Sequence, residues 1–165
     1  MKVGIVYYSR TGNTKKIAKT IEEKLKNENA EVDLIEIKHE KRPGFFKAGS
    51  AAIRDKDMSI RNTDFNLEKY DFIITGTPTW GGRPSPYIKS YLKKAENIKG
   101  KKGAVFITGA GKIDSNKKVF SYIKKELDEL GIKTYENHLI LQFKKDKIIH
   151  GEENIEKFLK NVMKN

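Results

Sequence analysis

Three short runs of the chain are apolar almost without interruption: residues 3–8 (Val-Gly-Ile-Val-Tyr-Tyr), 72–75 (Phe-Ile-Ile-Thr) and 104–108 (Ala-Val-Phe-Ile-Thr). Each stops at a turn rich in glycine or hydroxyls. A strand that is apolar on both sides must be covered on both faces. Helices packed over a parallel sheet do this, whereas a sheet with one wet face calls for alternation. Two further segments do alternate, one through Val32, Leu34, Ile35 and Ile37 and one over residues 133–143, as suits strands at the edges. Between the strands run helical stripes. They comprise Ile17, Ala18, Ile21 and Leu25, then Tyr87, Ile88, Tyr91, Leu92 and Ala95 behind Pro84 and Pro86. Val119, Phe120, Ile123, Leu127 and Leu130 follow, stopped by Gly131, and Ile155, Phe158, Leu159, Val162 and Met163 close the series. This pattern predicts an α/β fold of one domain over residues 1–165: a doubly wound, five-stranded parallel sheet in the order 2-1-3-4-5 with helices on both faces. Ligands of such a sheet bind beyond the carboxyl ends of its strands, at the switch between strands one and three. The three turns leave strands one, three and four at that rim.

The first turn is Ser9, Arg10, Thr11, Gly12, Asn13 and Thr14, immediately before the first helix. A helix start presents free N–H groups and the positive end of the macrodipole, so it attracts an anion. Gly12 lets the main chain come close, and the hydroxyls and amide add donors suited to a phosphate. Helix capping alone is the plainer account, but one side chain suffices for that. The second turn holds Thr77, Pro78, Thr79, Trp80, Gly81 and Gly82, with the chain's one tryptophan. Few apolar neighbours in sequence surround Trp80, and a planar ligand would stack on it. Arg83 reads either as a rim contact or as surface charge. The third turn, Thr108, Gly109 and Gly111, permits close approach to a ring edge but carries no aromatic.

Composition removes other chemistries. Zero cysteines exclude disulfides, thiolate catalysis and Cys-based zinc or iron–sulfur sites. His39, His138 and His150 are scattered, so no metal site is expected, and no catalytic acid–base set is recognisable. No G-x-G-x-x-G follows the first strand, and Gly111-Lys112 completes only half a Walker motif. A receiver-type acidic cluster is replaced by Tyr8, Ser9 and Arg10. Nothing resembles a signal peptide or a membrane span, so a cytoplasmic protein is expected. The 34 Lys and Arg against 22 Asp and Glu give a net charge of +12. These lysines interleave with glutamates along helix faces, which points away from a nucleic-acid groove and toward acidic protein partners met faster at low salt.

Taken together, these residues resemble the flavodoxin family. Ser9 to Thr14 match its S-x-T-G-N-T phosphate loop at every specified position, Thr77 to Gly82 resemble the loop whose tryptophan stacks on the flavin ring, and Thr108 to Gly111 fall at the third flavin loop. The resemblance implies a flavodoxin-like fold and FMN as cofactor, with Ser9, Thr11, Asn13 and Thr14 on the phosphate. It also implies Trp80 on the ring and a peptide at Gly81 able to reorient toward it. Two features depart from the family: the chain is basic rather than acidic, and the third loop lacks a stacking aromatic. Thr-Pro-Thr-Trp-Gly-Gly-Arg-Pro-Ser-Pro and the Gly44-Phe45-Phe46 insertion are closer to flavodoxin-like proteins and flavin-dependent reductases of anaerobes. Phe45 or Phe46 is a candidate cover for the second ring face. The leading expectation is an electron carrier between redox partners. The alternatives are an FMN-dependent reductase taking hydride from NAD(P)H or a deazaflavin to a quinone-like acceptor, and a non-redox module that binds phosphate or nucleic acid.

Overall fold

A computed structural model describes residues 1–40, 57–111 and 113–164. In chain order the elements are β1 (Lys2–Tyr7), α1 (Asn13–Asn27), β2 (Glu31–Glu36), β3 (Phe72–Trp80), β4 (Arg83–Pro84) and α2 (Pro86–Leu92). They continue with β5 (Lys102–Gly109), α3 (Ile113–Glu129), β6 (Lys133–Thr134), β7 (Leu139–Lys144), β8 (Lys147–His150), a 3-10 turn (Glu152–Asn154) and α4 (Ile155–Met163). The parallel core runs β2-β1-β3-β5-β7, the order expected from the sequence, with β5 and β7 as its fourth and fifth strands.

Side chains alternate across β1 as the pleat requires. Val3, Ile5 and Tyr7 face a layer containing Ile17, Ile21 and Leu25 of α1 and Phe158 and Val162 of α4. Val6 and Tyr8 face the opposite layer, with Tyr87, Ile88 and Tyr91 of α2 and Val119, Ile123 and Leu127 of α3. Each such side chain, fully buried, contributes about 1.5–3 kcal/mol of transfer free energy. Among the described residues no helix is long and apolar enough to cross a membrane.

The sheet departs from the sequence expectation in three places. First, β3 does not stop at Thr75: Gly76, Thr77 and Pro78 continue the ladder opposite Phe106, Ile107 and Thr108. The expected loop is therefore largely strand, closed by a hairpin to β4 through Trp80 and Arg83. Second, the single strand expected over 133–143 divides into β6 and β7. Tyr135 still donates its N–H to the Gly103 carbonyl of β5 at 2.9 Å and stacks on Phe72 of β3 at 5.8 Å, while His138 stacks on Phe120 of α3 at 3.9 Å. Third, an antiparallel strand, β8, is added outside β7. The proposed cover residues Phe45 and Phe46, with the rest of the 41–56 segment, lie outside the described residues.

Gly76 is a packing glycine rather than a turn glycine. A Cβ built there would sit 2.1 Å from the Phe106 ring, which lies across the strand. Overpacking of this kind costs about 1–3 kcal/mol. Gly76→Ala should accordingly lower Tm by roughly 3–10 °C, and adding Phe106→Leu should recover part of that loss. An unchanged Tm for the single variant would contradict this packing.

Candidate functional site

The site begins where β1 runs out. The Tyr8 N–H donates to the Gly76 carbonyl at 3.2 Å, which ties the first turn to β3. Gly12 then takes φ 97° as the cap of α1; a Cβ there would meet nothing within 4 Å, so conformation and not crowding calls for glycine. Within the first turn of α1, the Lys15 N–H donates to Ser9 Oγ at 3.2 Å and the Lys16 N–H to the Gly12 carbonyl at 2.8 Å. The N–H groups of Thr11, Gly12, Asn13 and Thr14 have no acceptor among the described residues. No acidic residue occupies that turn. Four unpartnered donors at the positive end of a helix form an anion cradle.

Side chains of the same turn are engaged elsewhere. Thr14 Oγ1 and Thr108 Oγ1 are 2.8 Å apart in a buried hydrogen bond joining the first and third turns. Asn13 Nδ2 donates to the Lys145 carbonyl at 2.8 Å. Main-chain N–H groups and the Thr11 side chain are thus left to face a ligand, and the side chains of Ser9, Asn13 and Thr14 hold the loop in shape.

Trp80, at the end of β3, is half-buried and meets Tyr8 edge-on at 5.5 Å and Tyr87 at 6.1 Å, while Tyr8 and Tyr87 stack at 4.4 Å. The Arg10 guanidinium lies 5.8 Å from the indole ring. Burial pushes the Tyr87 hydroxyl pKa up, and the Arg10 charge offsets this in part, so the phenol beside Trp80 stays neutral near pH 7. Beyond Trp80, Gly81 (φ 56°) and Gly82 (φ 74°) form a two-residue hairpin turn with both residues left-handed. Thr77 is buried, its hydroxyl accepting from the Ser85 N–H at 2.9 Å and donating to the Pro78 carbonyl. Thr79 Oγ1 donates to Asn116 Oδ1 at 2.7 Å, and the fully buried Asn116 keeps an Nδ2 without a partner among the described residues. Gly109 is wedged against this pair, since a Cβ there would lie 2.8 Å from Asn116 Oδ1. Arg83 stacks on Tyr122 at 4.4 Å, away from the rim.

These turns enclose a cavity of about 670 Å³, a size typical of small-molecule sites. Arg10, Thr11, Asn13 and Thr14 line it from the first turn, Pro78, Thr79, Trp80 and Gly81 from the second, and Thr108, Gly109 and Ala110 from the third. Ser9, Gly12, Thr77, Gly82 and Gly111 belong to the same turns but do not line it. Phe143, Lys145 and Asp146 complete the wall from the β7–β8 hairpin and were not among the residues singled out in the sequence. Their signal was the polar tetrad 144–147 (Lys-Lys-Asp-Lys) between two apolar runs, a hairpin pattern. A larger concavity of about 810 Å³ beside α3 gathers paired charges, such as Lys124 on Asp128 at 2.6 Å, rather than open donors. Among the described residues no metal-binding cluster occurs. The donor cradle and the indole on the walls of one cavity fit a phosphorylated flavin.

The Thr14–Thr108 bond is the strut of this arrangement. Thr14→Val strands a buried hydroxyl and should cost about 1–3 kcal/mol in urea unfolding, whereas replacing both threonines by Val should cost less than the sum. Additive losses in that double-mutant cycle would show that the two hydroxyls do not interact.

Comparison with known proteins bears on the family and the fold. A family profile described as NADPH-dependent FMN reductase matches residues 1–146. A flavodoxin of Clostridium saccharobutylicum is 29% identical over 110 residues, covering 66% of this chain and 56% of the relative. An NAD(P)H dehydrogenase (quinone) of Archaeoglobus fulgidus is 28% identical over 118 residues, covering 64% and 60%. The chain thus spans 56–60% of the length of these curated relatives. The crystal structure of a flavoprotein in complex with FMN from Lactobacillus acidophilus NCFM superposes with a TM-score of 0.68 at 24% identity, covering 95% of this chain and 97% of that one. The chain belongs to the NADPH-dependent FMN reductase family, with a flavodoxin-like fold and with FMN as the cofactor that these matches support.

Proposed function

We propose that residues 1–165 form one flavin domain that carries electrons between redox partners through bound FMN. One observation carries this reading: Thr11, Asn13 and Thr14, whose N–H groups have no acceptor among the described residues, line a single cavity together with Trp80. Bound FMN supplies the redox chemistry itself, and the protein supplies binding, orientation and electrostatics. The N–H groups of Thr11, Gly12, Asn13 and Thr14 would hold the phosphate, with Ser9 and Thr14 fixing the loop that presents them. Trp80, kept in orientation by Tyr8 and Tyr87, would cover one ring face. Gly81, without a side chain and left-handed, lets its peptide approach and turn toward the ring edge. Thr79 and Asn116 would tie the end of β3 to α3, and Thr108 and Gly109 of β5 would bring backbone close to the ring. The net charge of +12 favours acidic protein partners, whose association slows as salt rises.

A second reading, an FMN-dependent reductase that takes hydride from NAD(P)H to a quinone-like acceptor, is favoured by the family match and by the Archaeoglobus relative. One experiment separates the two. The protein is loaded with FMN and reduced stepwise without oxygen while absorbance is followed, and turnover of NADPH with a soluble quinone is measured alongside. The carrier reading predicts two resolved one-electron stages and negligible NADPH turnover. A single two-electron stage with sustained turnover would overturn it in favour of the reductase, and a protein that takes up no FMN would overturn both.

A further inference from the structure

The β7–β8 hairpin reaches the site from the far side of the sheet. Its tip is Lys145-Asp146, between the paired residues Lys144 and Lys147, and Lys145 is left-handed at φ 57°. A register irregularity at Gln142 and Phe143 precedes the tip. Such bulges re-aim a strand end and occur beside functional sites. The tip is then fastened to the first residue of α1 by the Asn13 Nδ2 bond to the Lys145 carbonyl, 2.8 Å long and spanning 132 positions of sequence. Lys145 and Asp146 consequently line the same cavity as Arg10, Thr11 and Thr14.

Charge gives this placement a use. A phosphate monoester is a dianion near neutral pH, and helix N–H groups provide only partial positive charge. Lys15, the nearest lysine in the first turn of α1, is taken up by Glu36 at 2.7 Å. Lys145 makes no ion pair among the described residues.

We infer that the β7–β8 hairpin is a clamp on the phosphate end of the flavin: the Lys145 ammonium pairs with the phosphate, and the Asn13 side chain acts as the strap that holds the hairpin there, leaving only the Asn13 main-chain N–H for the phosphate. This rests on the FMN reading above. Asp146 shares the wall and opposes the same anion, so its charge works against that of Lys145.

Affinities for FMN and for riboflavin, which lacks the phosphate, test the clamp by fluorescence titration of wild type, Lys145→Gln, Lys145→Arg and Asn13→Ala. At low salt Lys145→Gln should weaken FMN about tenfold and leave riboflavin within about twofold, the size expected for one charged hydrogen bond. Lys145→Arg should retain FMN affinity, and the Lys145→Gln effect should shrink in high salt. Asn13→Ala should speed hydrogen exchange at the amides of residues 145–147. Equal weakening of both flavins by Lys145→Gln, or no weakening of either, overturns the clamp while leaving FMN binding intact. Unchanged exchange in Asn13→Ala overturns the strap. A wild-type protein that binds neither flavin rejects the FMN reading itself.

Discussion

Parallel pairing is the constraint from which the site follows. Once β1, β3 and β5 lie side by side in the same direction, each crossover must return over a face of the sheet. Every segment leaving a strand then departs from the same edge. Nothing in the first turn needs to know where the third is; the ladder brings them together. Two hydrogen bonds convert that proximity into fixed geometry. The Tyr8 N–H on the Gly76 carbonyl joins the first turn to β3, and Thr14 on Thr108 joins it to β5. The opening between these turns is what remains when neither bond fills it.

Most of the fold was legible because burial writes itself into sequence. Strands covered on both faces read as unbroken apolar runs, and the helices that cover them read as stripes at a spacing of 3.6. What was not legible depended on neighbours. Glycine, proline and two threonines after Thr75 look like a loop, yet β5 offers them a ladder and they remain strand as far as Trp80. The division of 133–143 comes with ring contacts to residues distant in sequence, Tyr135 on Phe72 and His138 on Phe120. Trp80 looked short of apolar company for the same reason: Tyr8 reaches it from the end of a different strand, and Tyr87 from α2.

The candidate site was legible in position and less so in division of labour. At residues 9–14 the sequence suggested both the free N–H groups of a helix start and a set of side-chain donors. In the structure Ser9 caps Lys15, Asn13 holds Lys145 and Thr14 holds Thr108. This leaves backbone N–H groups, with the Thr11 hydroxyl, as the open donors among the described residues. The backbone donors are fixed by the fold and need no reordering when an anion arrives, which suits preorganised recognition. Tight side-chain bonding and open main-chain donors are therefore two aspects of one design. The hairpin wall of Phe143, Lys145 and Asp146 was missed because register, not residue type, carries it to the rim.

The central claim is that one cavity takes a phosphate at the start of α1 and a flavin ring beside Trp80. Trp80 is the sole tryptophan of the chain, so its emission reports on that place alone. Titration of the flavin-free protein with FMN should dim this emission progressively and level off at one equivalent. Emission that stays undimmed in excess FMN would contradict the account.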